Sequence, residues 1–326
     1  MKLALAPMAT LSHEALRRLI YTFAEPDEYY SEMIHAPSFV NGTKFEKFYV
    51  RTGPSPEKMV WQLTGPDRDN LAKAAAMLSG LGGTGIDINM GCCAPDIVRT
   101  GAGISWMLKP MDETARLIEA VRKSIDSVSP GKSGPRFSVK LRLGEGKNYG
   151  QLLLFCKMLV SGGVEQITLH PRTKKESYSR PANYEFVARL ARDLPVPVYG
   201  NGDIDSAEKA RQYMEKYPCA GLMLGRAAVQ KPWIFRQIRE TGTENREAQK
   251  VNHLENSLYF LEVFREVQPP EFYLSRARRF FFYYCDNFQF GHYIRMKIQR
   301  ARSLEEIQLL LEAYFGESPK DLFSVI

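Results

Sequence analysis

"GIDINMGCCAPDIVRTGAGISWMLKPMDETARLIEAVRKSI", residues 85–125, contains one complete structural repeat. It opens on a short apolar run, 85–91, bounded by glycines, which reads as a buried strand. It closes on "MDETARLIEAVRKSI", apolar at helical spacing. Asp112 and Glu113 stand at the start of that helix and Arg122 and Lys123 toward its end, the charge order a helix dipole favours. A second apolar run, "FSVKLRL" (137–143), follows at once. Strand, helix and strand in succession describe one βαβ unit.

The same alternation extends in both directions. Apolar runs recur at "LALAP" (3–7), "EYYSEM" (28–33), "KMVWQL" (58–63), "EQITLH" (165–170), "VPVYGNG" (196–202) and "AGLMLGR" (220–226). Helical stretches separate most of them. "PDRDNLAKAAAMLSGLG" (66–82) opens with Asp67 as a cap and closes at Gly80 and Gly82. "NYEFVARLARDL" (183–194) and "DSAEKARQYMEKY" (205–217) follow the same rule, while the link from 33 to 58 is longer and less regular. About eight repeats predict a parallel (β/α)8 TIM barrel, an α/β fold, over residues 1–238. An open doubly wound sheet is the alternative, but no GxGxxG follows the first strand.

Beyond the polar stretch "RETGTENREAQ", read as a linker or helix start, the pattern changes. "VNHLENSLYFLEVFREV", "SRARRFFFYYCDNF", "GHYIRMKIQRARS" and "LEEIQLLLEAYFG" all carry helical periodicity, and no strand alternation is visible. A small all-helical C-terminal domain is therefore expected over 239–326. Between Arg276 and Arg302 it carries seven cations (Arg276, Arg278, Arg279, Arg295, Lys297, Arg300 and Arg302) against one acid, Asp286. Phe280, Phe281, Phe282, Tyr283, Tyr284, Phe288, Phe290 and Tyr293 lie among them. Cations meet phosphates and exposed rings stack on bases, so this domain reads as RNA-binding, with the bundle core as the ordinary use of the aromatics.

Composition fits that reading. The net charge of the 326 residues is +7, which favours polyanionic partners. Five cysteines without regular spacing argue against a disulfide framework and for a reducing cytoplasm. No apolar stretch of membrane-spanning length is present and "MKLALAPMAT" is too short for a signal peptide, so no membrane association is expected. A monomer without a metal centre is expected.

In such a barrel the chemistry sits at the C-terminal strand ends. Those ends supply Pro7 and Met8, Gln62, Asn89 and Cys92, Lys140, His170 and Arg172, Asn201, Gly202 and Asp203, and Gly225 and Arg226. "GNGDI" (200–204) and "LGRAA" (224–228) offer glycine amides and a cation at the last two strands, where barrels often hold phosphate. With Lys140 and Gln62 nearer the centre, the set suggests flavin mononucleotide (FMN), Lys140 placing positive charge near the ring. Pro7, Met8, His170, Asn201 and Asp203 complete the expected cofactor wall.

In this order, "APMA", "SEM", "WQLTGPD", "DINMGC", "VKLRLG", "LHPRT", "GNGDI" and "LGRAA" resemble the dihydrouridine synthase family, from the first strand to about Ile238. The resemblance implies reduction of the C5=C6 bond of uridines in tRNA by FMN, with NADPH or NADH as electron donor. It implies Cys92, directly after Asn-x-Gly, as the proton donor. The family usually has proline next, where this chain has Cys93, which reads as a packing residue. Asn89 and Arg172 are candidates to contact the extracted base or its ribose, and Arg295, Lys297, Arg300 and Arg302 the RNA backbone. Lys174, Lys175 and Arg180 extend that track, and "TGAGISWML" (100–108) is expected to close over the substrate. Three readings stay open: a flavin barrel reducing a small pyrimidine or enone, as dihydroorotate dehydrogenases resemble; an RNA-binding protein on an inactive barrel; and an rRNA target.

Overall fold

A computed structural model describes residues 1–128, 134–241 and 248–326. Eight strands form its centre: β1 (Lys2–Leu5), β2 (Glu28–Tyr30), β3 (Met59–Thr64), β4 (Gly85–Met90), β5 (Arg136–Leu141), β6 (Gln166–Leu169), β7 (Val198–Asn201) and β8 (Gly221–Leu224). Each pairs in parallel with the next, and β8 returns to β1 with Leu3 opposite Leu222 and Leu5 opposite Leu224. The sheet is thus a closed barrel, as the alternation predicts, and not an open sheet.

Successive side chains of a strand point to opposite faces. In β4, Ile86, Ile88 and Met90 join the large core between barrel and helices. The intervening Asp87 and Asn89 face the barrel interior, where Asp87 meets Gln62 of β3 and Ser138 of β5. A smaller inner cluster of Ala4, Ala6, Tyr30, Val60, Tyr199 and Met223 also lies there, with Gln166 donating to the Tyr30 hydroxyl at 3.1 Å.

The outer ring is α1 (Glu14–Tyr21), α2 (Arg68–Ser79), α3 (Met111–Val128), α4 (Tyr149–Ser161), α5 (Glu185–Asp193), α6 (Ala207–Lys216) and α7 (Ile234–Glu240). Asp67 caps α2 by accepting from the Asn70 amide at 2.8 Å, as its sequence predicts. Between β2 and β3 the chain makes a two-residue strand, Ile34–His35, paired with the end of β3, the short helices Ala36–Val40 and Glu46–Tyr49, and a 3-10 turn at Pro56–Lys58, the irregular link seen in the sequence. The β2 strand stops at Tyr30, short of the expected Met33, because Glu32 turns away to meet the C-terminal domain.

That domain is α8 (His253–Val267), α9 (Tyr273–Tyr284), α10 (Gly291–Arg300) and α11 (Leu304–Glu317). It also contains two short antiparallel strands absent from the sequence reading, β9 (Lys250–Asn252) and β10 (Phe323–Val325). They pair its two ends and are too short to show a period. Residues 242–247 of the expected linker lie outside the described residues, and α7 runs through 238/239. Phe260 stacks on Phe280 at 3.7 Å between centroids, with Phe281, Tyr284 and Phe288 around them. The bundle docks through α8 on α1, His13 lying 5.2 Å from Phe264. No helix among the described residues is long and apolar enough to cross a membrane.

Candidate active site

The strand ends open into one cavity of about 1030 Å³. Pro7, Met8, Asn89, Cys92, Lys140, His170, Asn201, Gly202, Asp203, Gly225 and Arg226, gathered from across the barrel sequence, all line it. Cys93, Arg142, Lys174 and Lys175 do too.

Cys92 is held from both sides. Its amide donates to Asn89 Oδ1 at 2.8 Å, and its carbonyl accepts from Ile104 N at 2.9 Å. Gly103 lies so close, at φ +61°, that a Cβ there would sit 2.5 Å from the Cys92 carbonyl oxygen. Burial pushes the Cys92 thiol above the ordinary cysteine range, although an Ala94 amide bond and the Lys140 and Arg142 charges act the other way. The thiol is therefore protonated at neutral pH.

The loop 100–108, expected to close over the site, is anchored instead. Ala102, Ile104 and Trp106 are buried, and the Trp106 indole donates to Gly65 O at 2.8 Å. Its apolar side chains pack into the core, and none of residues 100–108 lines the cavity.

Two cations on the wall, Lys140 and Arg226, form no ion pair among the described residues. Burial, reinforced by Arg142, lowers the Lys140 ammonium to about 8 despite Asp87 and Cys92. Arg226 stacks over Tyr178 at 4.4 Å, and among the described residues no carboxylate pairs with it. His170 is neutral, lowered to about 2 first by burial and then by Lys140 and Arg142. Arg172 Nη1 donates to its Nε2 at 2.9 Å, so Nδ1 carries the proton toward Asn201 Oδ1 at 3.1 Å. Asn201 in turn donates to Met223 O. Gly202 at φ +114° is followed by Asp203 at φ +58°, an uncommon conformation for a residue with a side chain. The Asp203 carboxylate holds that turn by accepting from the Ala182 amide and from Arg172.

Two expected site residues stand elsewhere. Gln62 is wholly buried behind the wall, between Asp87 and Asn89. Arg172 is also wholly buried, its guanidinium engaged by Asp203 at 2.5 Å, by His170 and by the carbonyls of Arg180 and Tyr178. It shapes the loop after β6 instead of reaching the cavity. Arg295, Lys297, Arg300 and Arg302 lie outside the cavity, on α10 and just beyond it. Arg295 pairs with Asp286 at 2.5 Å, Lys297 lies over the Tyr293 ring at 4.4 Å, and Arg300 and Arg302 are exposed. Arg276, of the same basic run, is buried at the domain interface.

Three cavity residues that the sequence left unassigned, Arg279, Tyr283 and Asp286, come from the helical domain. Their position depends on docking, which no local pattern encodes. The run of aromatics itself divides: Phe280, Phe281, Tyr284 and Phe288 are core, while Phe282, Phe290 and Tyr293 are exposed.

Residues 4–316 match the dihydrouridine synthase (Dus) family. This chain belongs to that family. The dihydrouridine synthase match runs through both the barrel and most of the helical domain, beyond the stretch that carried the motifs. tRNA-dihydrouridine synthase B of Pseudomonas syringae pv. tomato is 33% identical over 237 residues, covering 72% of this chain and 67% of its own. A probable tRNA-dihydrouridine synthase of Treponema pallidum is 31% identical over 244 residues, covering 73% and 70%. Among solved structures, histamine dehydrogenase from Rhizobium sp. 4-9 superposes with a TM-score of 0.55 at 12% identity, over 73% of this chain and 45% of its own. Morphinone reductase in complex with tetrahydroNAD gives 0.50 at 10%, over 75% and 88%. At that identity the likeness is one of fold, and the fold of this dihydrouridine synthase family member is theirs.

Proposed function

We propose that this protein reduces the C5=C6 bond of uridine in tRNA, with FMN held in the cavity and NADPH as electron donor. Family membership supports the reaction, and the relatives' names support the RNA. The observation that carries the site assignment is the pairing of a protonated Cys92 with two cations that no ion pair engages among the described residues, in a cavity large enough for a cofactor and a base.

The donor set fits a flavin nucleotide. Arg226, with the backbone of Gly202, Asp203 and Gly225, would hold its phosphate, and Lys140 an electron-rich ring edge. Pro7, Met8, His170 and Asn201 would complete the wall. When bound, FMN supplies the hydride that C6 of uracil accepts. Cys92 Sγ gives the proton that C5 requires, and its raised thiol pKa keeps that proton present at neutral pH. Asn89 contacts the extracted base. Arg279 and Tyr283, brought over the cavity by α9, meet the nucleotides beside it, and the α10 cations meet phosphates farther out. The helical residues on the wall favour RNA over a free pyrimidine or enone. We also propose a cytoplasmic monomer, with the barrel (1–238) holding the cofactor and 239–326 the RNA.

Mass spectrometry of RNA from cells lacking the protein tests this. Loss of dihydrouridine from tRNA is expected. Loss from rRNA alone would move the substrate, and no loss, together with purified protein that carries no flavin absorbance, would overturn the proposal.

A further inference from the structure

A chain of side-chain hydrogen bonds runs inside the barrel beneath Cys92. Asp87 Oδ1 accepts from Ser138 Oγ at 2.6 Å, and Asp87 Oδ2 accepts from Gln62 Nε2 at 2.7 Å. Gln62 Oε1 accepts from Asn89 Nδ2 at 2.9 Å. Asn89 Oδ1 accepts from the amides of Cys92, at 2.8 Å, and Gly91, at 3.2 Å. Asp87 and Gln62 are wholly buried and Asn89 nearly so.

Two side-chain amides therefore lie between two fixed ends. A backbone N–H only donates, and a carboxylate only accepts. One orientation of both amides satisfies both ends. Turning either over sets donor against donor or acceptor against acceptor, which is costly away from water. In the satisfied orientation the Asn89 oxygen is engaged by two N–H groups. One Nδ2 hydrogen is engaged by Gln62. A single N–H remains, on a residue of the cavity wall.

We propose that Asp87, acting through Gln62, fixes the polarity of the Asn89 amide so that the cavity meets an N–H donor there, selecting the carbonyl at C4 of uracil over the amino group at C4 of cytosine. Asp87 is thus a positioning residue that touches neither base nor cofactor. The inference rests on the reading of Asn89 as a contact to the target base. A donor facing an amino group leaves both without a partner, so the preference is strong where water is excluded.

The test moves the carboxylate one place along the chain. Gln62→Glu alone sets two carboxylates against each other. In Gln62→Glu with Asp87→Asn, the carboxylate at 62 accepts from Asn89 on one side and from the amide at 87 on the other, with Asn89 unchanged. Two readouts apply to flavin-loaded protein: kcat/KM for unmodified tRNA transcript, and binding of that transcript with uridine or cytidine at the reacting position. Gln62→Glu is expected to lose about tenfold or more in kcat/KM and most of the uridine preference, and the double variant to regain both to within about threefold. A double variant no better than the product of the singles, or one uridine preference across all variants, would overturn the proposal. If Gln62→Glu does not fold, Asp87→Asn is combined with Ser138→Ala. The amide at 87 keeps the chain direction only by giving its N–H to Ser138, so the pair should lose far more than the sum of the singles, and simple additivity would overturn it. A wild-type protein inactive on every RNA would instead sink the proposed function. The cycle would then still be read in thermal midpoints, where absent coupling counts against the relay itself.

Discussion

Adjacent thiols at 92 and 93 are held in different ways, and under the proposed function that difference favours Cys92 as the proton donor. Cys92 is fixed through its amide, its carbonyl and the close approach of Gly103, and burial keeps its thiol protonated. Cys93 lies on the same wall, but the structure gives it none of these backbone anchors. Hydride arrival at C6 builds negative charge toward C5, which a placed acid neutralises. Cys92→Ala should therefore retain flavin, RNA binding and oxidation of nicotinamide nucleotide. It should slow the reaction of pre-reduced protein with unmodified tRNA by about 10²–10⁴, roughly 3–5 kcal/mol of activation barrier. Cys93→Ala should react at near the normal rate, and the reverse ranking in single turnover would assign the proton to Cys93. The sign with pH follows from the raised thiol pKa. The acid form persists through neutrality, so the rate of this step should fall only as pH rises into that raised titration, at higher pH than an exposed cysteine would give.

Under the proposed function, the helical elements carry RNA affinity separately from the chemistry. Of the basic run, Arg295, Lys297, Arg300 and Arg302 lie on α10 and just beyond it, outside the cavity, with Arg295 over the exposed Phe282 ring and Lys297 over that of Tyr293. Neutralising all four should weaken tRNA binding and flatten its dependence on salt, by about 0.7–0.9 in log–log slope for each phosphate that no longer meets a cation. Reduction by nicotinamide nucleotide should not change. An unaltered slope, measured by binding titration from low to high salt, would place the RNA track elsewhere. The same elements show what was legible in the sequence. Strands, caps and the four C-terminal helices were readable because a period and a cap are local signals. The strand ends gave most of the cavity wall because a barrel puts them on one face. The interior role of Asp87 was missed although "IDIN" alternates openly, because buried parallel strands ordinarily read as continuous apolar runs. Arg172 was misplaced for a different reason. A cation at a strand end reads as a ligand contact, and only the tertiary fold shows the Asp203 carboxylate waiting for it.

At the scale of the whole molecule, barrel and bundle are joined by charge buried between them. Arg276 of α9 donates to Glu32 Oε2 at 2.6 Å, and both side chains are only 3% exposed. Glu32 Oε1 accepts from the Thr10 amide at 2.6 Å, and Arg276 also reaches the Tyr49 hydroxyl at 3.1 Å. Burial raises the Glu32 carboxyl, and Arg276 is the chief influence holding it down. Beside them His13 lies against Phe264, kept neutral by burial and then by Arg276 and Arg17. The pair therefore does more to fix how the domains meet than to add net stability, since desolvation offsets much of its attraction. Removing one partner is another matter. Arg276→Ala should cost about 3–5 kcal/mol, because a carboxylate stays buried with one backbone donor. Arg276→Met with Glu32→Leu should recover most of that loss. The deficit of Arg276→Ala should also shrink on acidification. A carboxyl raised in the folded state binds its proton before the unfolded chain does as pH falls, so folding is favoured progressively in that range. Urea midpoints for the three proteins at neutral and mildly acid pH measure all of this. An Arg276→Ala midpoint close to wild type, or a double variant no more stable than the single, would mean that apolar packing of α8 on α1 alone holds the helical wall of the cavity in place.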